Sequence, residues 1–219
     1  AIKYPWHVLK MMDLFLNRMT PKIDKSAQVS KSAIIRGNVT IGARVKVFEN
    51  AIIQGPAYIG DGCVIGNNTL VRESMLGKGC VIGFATEVAR SYLNHNVWTH
   101  KTFVGDSIID HNVSFGAGTV IGNLRFDEED IHVNIKEVRH NSGNKKLGVV
   151  VGAGARLRTI HQRLAQREFA LKVYPSNLGG TLVGWFVTGG IGMNAYRHGR
   201  ALESVKAADV LLPAGEHVR

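Results

Sequence analysis

The sequence predicts a mainly β protein in which residues 23 to about 126 form a left-handed parallel β-helix of about six coils. Three observations predict it. An apolar residue recurs every six positions, with an occasional step of five. Each recurring apolar residue is the start of one repeat. A second, smaller residue lies four positions after most starts, and glycine is frequent directly after a start. Repeats of this kind indicate a solenoid, because each repeat buries its apolar side only by stacking on the next.

The repeat is long and regular enough to be followed residue by residue. The starts are Ile23, Val29, Ile35, Ile41, Val47, Ile53, Ile59, Ile65, Val71, Leu76, Ile82, Val88, Leu93, Thr99, Val104, Ile109, Phe115 and Ile121. All of them but Thr99 are apolar. The second positions begin with Ala27, Ala33, Val39, Val45, Ala51, Ala57, Cys63 and Thr69. Glycine after a start permits positive φ at a corner, and three such hexads make one triangular coil.

The repeat is interrupted where a step is five residues long, at Val71, Val88, Thr99 and Val104. We expect the second inward site of these shortened hexads to hold Met75, Tyr92, Phe103 and Ile108. A solenoid stays regular where only stacking matters, so an irregular stretch is where a function is expected. The stretch from 99 to 108 contains two consecutive short steps.

The chain divides into three segments. Residues 1–22 form a linker whose residues 5–19 have helical periodicity, and we expect this helix to cover an open end of the solenoid. Its apolar face comprises Leu9, Met12, Leu16 and Met19. Residues 23–148 form the β-helix with a projecting hairpin loop at 124–146. Residues 149–219 have a different composition and predict a small α+β segment, beginning with a strand at Val149–Val151.

Composition excludes several classes of protein. The formal charge of +10 forms no basic stripe interleaved with aromatic residues, which argues against nucleic-acid binding and suits phosphate-bearing small molecules. Cys63 and Cys80 are the only cysteines, too few for a disulfide framework or a thiolate metal site, and we expect no metal. No apolar run approaches the ~20 residues that span a bilayer. These features predict a cytoplasmic protein.

Two polar residues in or near the irregular stretch are candidates for chemistry. His100 follows Thr99 at a position that points away from the solenoid interior, where an imidazole can act as a general base. The alternative is an ordinary surface histidine, like His95 or His111. Asn123 lies one coil and one face further along. If both residues serve one site, a cleft between neighbouring solenoids would unite them, which favours a threefold oligomer.

Three stretches resemble a known family: Thr99–Asp106 (THKTFVGD), Asn112–Thr119 (NVSFGAGT) and Asn123–Asp127 (NLRFD). They are similar to the acetyltransferase domain of archaeal-type bifunctional sugar-1-phosphate nucleotidyltransferase/acetyltransferase enzymes, which make UDP-N-acetylglucosamine. The resemblance covers residues 1 to about 148. It implies acetyl-coenzyme A as co-substrate, an amino-sugar phosphate as acceptor and a homotrimer.

The resemblance also implies a role for individual residues. His100 would deprotonate the amine of the sugar phosphate, Asn123 would orient that amine, and the backbone at Ala117 would hold the acetyl thioester. Arg72 would bind the sugar phosphate. Arg90 lies beside the position of a substrate-binding lysine and would also contact the substrate.

The chain departs from the family pattern at three positions. Phe103 stands where tyrosine is usual, and Ala89 and Glu129 stand where lysines are expected. These departures remove a hydroxyl and two cationic groups from the implied site. They keep open a second reading, in which the β-helix is a non-catalytic oligomerisation or regulatory domain of a sugar nucleotidyltransferase.

The C-terminal segment resembles a different family. Val151–Arg158, Tyr174–Ser176 and Thr188–Gly192 are similar to part of the FAD-binding domain of vanillyl-alcohol-oxidase-type flavoenzymes. The residues that would contact FAD are Pro175, Ser176, Gly180, Thr181, Gly189 and Gly190. The upstream phosphate-binding segment of that family is missing, so we do not expect this fragment alone to bind FAD. A third reading, a fragment of an FAD-linked oxidoreductase, rests on this segment.

Overall fold

The computed structural model describes residues 2–135 and 138–151, together with isolated backbone positions at 162, 165, 166, 210, 211, 217 and 218. One α-helix, α1 (His7–Arg18), precedes a three-sided solenoid of short parallel strands. An antiparallel hairpin, β17 (His132–Ile135) and β18 (Val138–Asn141), follows it. Two short strands, β20 (Val210–Leu211) and β21 (His217–Val218), pair antiparallel near the end of the chain.

The solenoid consists of three parallel sheets. Sheet A contains β1 (Lys22–Ile23), β4 (Val39–Ile41), β7 (Ala57–Ile59), β10 (Met75–Leu76), β13 (Tyr92–Leu93), β16 (Ile108–Ile109) and β19 (Val150–Val151). Sheet B contains β2 (Gln28–Val29), β5 (Lys46–Val47), β8 (Val64–Ile65), β11 (Val81–Ile82) and β14 (Trp98–Thr99). Sheet C contains β3 (Ile34–Arg36), β6 (Ile52–Gln54), β9 (Leu70–Arg72), β12 (Glu87–Ala89) and β15 (Phe103–Gly105). The predicted mainly β, parallel β-helix is confirmed.

The number of coils differs slightly from the prediction of about six. Coils one to five each contribute a strand to all three sheets. Coil six contributes β16 to sheet A, but reaches the other two sheets only through the single bridges Trp98↔Ser114 and Phe103↔Val120. Its corners contain Gly116, Gly118 and Gly122, and glycine weakens strand pairing. The chain therefore has about five complete coils.

The core is the continuous column of inward residues that the six-residue period predicts. Ile41, Ile59, Leu76, Leu93 and Ile109 stack in sheet A and are all but inaccessible to solvent. Equivalent columns line the other two sheets, so each coil covers the apolar residues of the one before it. Stacking, rather than the propensity of any one short strand, therefore stabilises the fold.

Helix α1 lies where the prediction did not place it. Its Met12 and Leu16 are buried, as the apolar face predicts, but the helix runs along the outside of sheet A and contacts β13. The amide of Asn38 in coil two donates to the carbonyls of Leu16 and Met19, at 3.2 and 2.6 Å. The expectation that the helix covers an open end is wrong. The helix lies along sheet A because the outward residues of this sheet are large and apolar and need cover: Tyr58, Met75, Tyr92 and Ile108.

The predicted hairpin within 124–146 is present, and its apolar residues are anchored. Ile131 packs with Trp6 and Leu147 in a small buried cluster separate from the main core. A polar turn, Ser142–Asn144, follows β18, with the Gly143 N–H donating to the Asn141 side chain at 2.7 Å. The loop is thereby fastened to the N-terminal helix as well as to coil six.

Strand β19 lies in the solenoid. Val150 and Val151 pair in register with Ile108 and Ile109, and Val149 packs against the main core. The chain therefore leaves the solenoid after coil six, forms the hairpin loop, and returns to sheet A for one more strand. This strand lies beyond residue 148, where the composition predicts a change of segment. Residues 152–219 lie outside the described residues, apart from the isolated positions given above.

The shortened steps lose a residue from the corner and none from the strand. The buried inward positions after the short steps are Ser74, Ser91, Thr102 and Ser107. The expectation that Met75, Tyr92, Phe103 and Ile108 fill these positions is wrong, because each of them occupies an outward position of its strand. A residue with positive φ precedes each hydroxyl residue: Glu73, Arg90, Lys101 and Asp106.

The buried hydroxyl completes each short corner. Ser91 Oγ donates to the Ala89 carbonyl at 2.8 Å and accepts from the backbone N–H of Ser107 at 3.0 Å. Ser74 and Ser107 repeat the arrangement, receiving the N–H of Ser91 and of Val149 respectively. The three serines form a ladder along the corner between sheets C and A. This ladder supplies the acceptors that the shortened turns no longer provide.

We predict that Ser91→Ala lowers the free energy of unfolding by about 1–3 kcal/mol, because the buried N–H of Ser107 loses its acceptor. Ser30→Ala is the matched control, since among the described residues the Ser30 hydroxyl has a single hydrogen-bond partner, another surface hydroxyl 3.4 Å away. Thermal and denaturant unfolding measure both variants. Equal stability of the two would show that the ladder is not required.

Candidate functional site

The corner between sheets B and C changes length at coil five. In coils four and six this corner consists of the four residues 83–86 and 116–119, whereas coil five uses only His100, Lys101 and Thr102. Lys101 has φ of 45°, and the Thr102 hydroxyl donates to the His100 carbonyl at 2.8 Å. The corner of coil five is therefore one residue shorter than the corners directly below and above it.

His100 lies at this shortened corner. Its side chain is exposed, and within the described part of the chain neither ring nitrogen has a hydrogen-bond partner. A Cβ at Gly83, in the coil below, would lie 3.2 Å from Nδ1 of His100 and 2.5 Å from the Thr99 carbonyl, so glycine is needed there. An exposed imidazole without a partner is free to accept a proton from a bound group.

Ala117 lies on the same corner, one coil above His100. The N–H of Gly118 donates to the Lys101 carbonyl at 2.9 Å, which stacks the two corners directly. Ala117 is exposed between Gly116 and Gly118. The structure thus brings together His100 and Ala117, the two residues implied in proton transfer and in holding the thioester.

A second group of polar residues lies at the opposite edge of sheet C, on the corner between sheets C and A. Asp106 accepts two hydrogen bonds of 2.7 Å from the guanidinium of Arg90 and one of 2.5 Å from Nδ2 of Asn123. The Asp106 side chain is 8% exposed and that of Arg90 28% exposed. The hydrogen bond from Asp106 raises the pKa of Arg90 above its usual range. Arg90 is therefore engaged with Asp106, and only its remaining donors can face a ligand.

Arg72 occupies the column of sheet C next to this group. Its Nη2 lies 2.9 Å from Oε1 of Glu87, and its Nη1 lies 3.5 Å from Oε1 of Glu73. Ala89 and Gly105 continue the same column in coils four and five, and Ala89 is fully buried. The Arg72 side chain is 26% exposed and can present part of its guanidinium to a ligand.

Gly105 makes the approach of Asn123 possible. A Cβ at this position would lie 2.6 Å from Nδ2 of Asn123 and 2.7 Å from the Phe103 ring. The ring of Phe103 therefore covers the backbone of sheet C between the two corners. It occupies the place where the resemblance leads one to expect a tyrosine.

The structure separates the residues indicated by the sequence into two groups on one face. His100 and Ala117 lie at one edge of sheet C, and Arg72, Arg90 and Asn123 lie at the other. Sequence reasoning missed Asp106, which holds the second group together. Its position directly after Gly105, at a five-residue step, was the available signal.

A cavity lies beside the second group, against Gly122 and Gly148. Its volume is about 410 Å³, and it is lined by Pro5, Trp6, Ile121, Gly122, Ile131, Val133, Ile135, Leu147, Gly148, Val149 and Val150. None of these side chains titrates, so the cavity offers no acid or base for chemistry. We therefore assign the candidate site to the two edges of sheet C.

Among the described residues, no group of three or more histidine, cysteine or acidic residues has the geometry to hold a metal ion. Within the same ranges no helix has the length and apolar character needed to cross a membrane. The residues implied in FAD binding lie outside the described residues: Pro175, Ser176, Gly180, Thr181, Gly189 and Gly190.

Two family models match different parts of the chain. Residues 19–104 match the model described as the GMPPB C-terminal domain. Residues 110–219, half of the chain, match the model described as FAD binding domain. The second match begins within coil six, so its first residues overlap the solenoid.

Curated relatives match this chain over about a third of their own length. A bifunctional sugar-1-phosphate nucleotidylyltransferase/acetyltransferase of Sulfurisphaera tokodaii is 36% identical over 130 residues, which covers 56% of this chain and 32% of the relative. The bifunctional protein GlmU of Methanococcus vannielii is 37% identical over 154 residues, covering 68% of this chain and 36% of the relative. The chain thus spans about a third of the length of these relatives.

Solved structures with a similar fold include perosamine N-acetyltransferase from Caulobacter crescentus in complex with coenzyme A and GDP-perosamine. Its H141N mutant is 22% identical with a TM-score of 0.44, over 47% of this chain and 50% of that one. The PerB structure from the same organism is 18% identical with a TM-score of 0.44, over 56% of this chain and 58% of that one.

Proposed function

We propose that residues 1–148 of this chain form a sugar-1-phosphate N-acetyltransferase domain that uses acetyl-coenzyme A. Through residues 110–219 the chain belongs to the FAD binding domain family. The observation that carries the proposal is the shortened corner of coil five, where the imidazole of His100 has no hydrogen-bond partner among the described residues and lies one coil below Ala117. Relatives at 36 and 37% identity, named as bifunctional nucleotidyltransferase/acetyltransferase proteins, support it.

The proposed reaction is acyl transfer from a thioester to an amine. His100 removes a proton from the amine of the sugar phosphate as its nitrogen forms a bond to the carbonyl carbon of the acetyl group. The tetrahedral intermediate then collapses, the carbon–sulfur bond breaks, and the coenzyme A thiolate takes up the proton from His100. A base within hydrogen-bond reach and a held nucleophile are what this reaction requires.

The second group of residues would bind the acceptor. Asn123 would orient the amine, and the exposed part of the Arg72 guanidinium would contact the sugar phosphate. Arg90 contributes to this surface with the donors that Asp106 leaves free. Because Glu73, Glu87 and Asp106 offset the two arginines, this edge of sheet C favours a cationic ammonium group as well as a phosphate.

The active unit would be a homotrimer in the cytoplasm. His100 and Asn123 lie at opposite edges of sheet C in one chain, so a cleft between neighbouring solenoids would unite the His100 edge of one copy with the Asn123 edge of the next. Exposed apolar side chains near the His100 edge fit such a contact: Phe84, Trp98 and Val120. The free, buried thiols of Cys63 and Cys80 fit a reducing compartment.

We predict that His100→Ala lowers kcat for acetyl transfer by roughly 10²- to 10⁴-fold, the range expected for loss of a general base. Release of coenzyme A from acetyl-coenzyme A is measured with glucosamine-1-phosphate and with galactosamine-1-phosphate as acceptors. His111→Ala is the matched control, because His111 is an exposed histidine on another corner, paired with Asp110.

Two results would count against this assignment. Unchanged activity of His100→Ala would remove His100 as the base. Absence of turnover in the unmodified chain, with both acceptors, would instead favour the non-catalytic oligomerisation or regulatory domain, which the departures at Phe103, Ala89 and Glu129 also favour.

Flavin-dependent oxidoreduction is the second candidate, and the family match of residues 110–219 is the observation that favours it. If that segment held FAD, the flavin ring would supply the redox chemistry. We predict that the purified chain is colourless and retains no FAD after incubation with it and gel filtration. Stoichiometric FAD, detected by its visible absorbance, would overturn this prediction and favour the flavoprotein reading.

A further inference from the structure

We infer that Asp106 is a positioning residue, which fixes the orientation of the Asn123 amide. The site thereby offers a hydrogen-bond acceptor to the amine of the substrate. This inference rests on the proposed acetyl transfer. Asp106 lies at the corner between sheets C and A, and its carboxylate is nearly inaccessible to solvent at 8% exposure. Its partners are Arg90, one coil below, and Asn123, one coil above.

The chemistry of the two side chains determines which way the amide faces. A carboxylate only accepts hydrogen bonds, so it binds the NH₂ end of Asn123 and not the carbonyl end. The 2.5 Å hydrogen bond from Nδ2 to Asp106 therefore leaves the carbonyl oxygen of Asn123 as the free end. A carbonyl oxygen accepts an N–H from a bound amine, which aligns the nitrogen lone pair for attack. Without Asp106 the amide could turn over and present a donor.

The backbone around the pair is fixed before any substrate binds. The N–H of Gly148 donates to the Asp106 carbonyl at 2.9 Å, and the N–H of Leu147 donates to the Asn123 carbonyl at 3.0 Å. Gly105 has no side chain to keep Asn123 from the carboxylate. The return of the hairpin loop thus holds both residues in place, and the site is preorganised for one amide orientation.

The contact with Arg90 has a separate role. Arg90 binds both carboxylate oxygens through Nε and Nη2, which orients the carboxylate toward Asn123. A bidentate pair of this kind is geometrically specific as well as attractive. The arginine therefore supports Asp106, and Asp106 acts on the substrate through Asn123.

A double-mutant cycle tests the inference. Asp106→Asn, Asn123→Ala and the double variant are compared in kcat and KM for glucosamine-1-phosphate and in melting temperature. We expect Asp106→Asn to lower kcat/KM for the sugar phosphate roughly 10- to 100-fold, with the KM for acetyl-coenzyme A unchanged. We expect the double variant to be no less active than Asn123→Ala alone. Additive losses would overturn the inference, because Asp106 would then act independently of Asn123.

Arg90→Gln separates positioning from stability. This variant removes the ion pair but keeps the hydrogen bond between Asp106 and Asn123. We expect it to lower the melting temperature about as much as Asp106→Asn while costing less of kcat/KM. Activity that simply follows melting temperature across the variants would show a structural role only and overturn the inference.

A measurement on the unmodified protein covers the case in which Asp106→Asn does not fold. The NMR signal of the Asn123 side-chain NH₂ is identified by its absence in Asn123→Ala. Its hydrogens should exchange with solvent much more slowly than those of the NH₂ of Asn17 on the exposed face of α1. Equally fast exchange would overturn the inference without any enzyme assay. A chain that neither turns over nor binds glucosamine-1-phosphate removes the proposed function, and the inference falls with it, whereas an active chain with an additive cycle removes the inference alone.

Discussion

Every coil must return to the register of the coil before it, because parallel hydrogen-bond ladders run through all three sheets. This constraint decides where the sequence can vary. A residue lost within a strand would turn its inward side chains outward, so a shortened hexad must lose its residue at a corner. The buried hydroxyls of Ser74, Ser91, Thr102 and Ser107 mark the corners where this happened. The irregular corners are thus features of the solenoid surface, while the core columns continue unchanged.

The candidate site follows from the same constraint. In coil five the shortened corner between sheets B and C exposes His100 one coil below Ala117. In the same coil the shortened corner between sheets C and A brings Asp106 to a position of positive φ, between Arg90 and Asn123. Two corners of one coil therefore carry polar residues on either side of sheet C. Neither corner alone holds both the proposed base and the proposed acceptor-binding amide.

The periodicity of the sequence predicted the parallel solenoid, its inward columns and the presence of an amphipathic helix, because these depend on local spacing. It placed α1 at an open end, since helical spacing reveals an apolar face but not the surface that the face covers. Tyr92 and Met75 had been assigned to the interior, although as outward residues they help form the surface under α1. The contacts of Asp106 join residues separated by 16 and 17 positions, and no local pattern indicates such a network. The resemblance indicated His100 and Asn123, but the role of Asp106 between coils required the structure.

The proposed active site lies between two copies of the chain, and complementation tests this most directly. His100→Ala and Asn123→Ala chains, each with a different tag, are co-expressed, and assemblies carrying both tags are isolated. Each variant alone should be inactive, whereas every mixed trimer contains one junction with an intact His100 and an intact Asn123, and should recover about a third of the activity. Mixed assemblies that form and remain inactive would contradict the account, as would a chain that sediments only as a monomer.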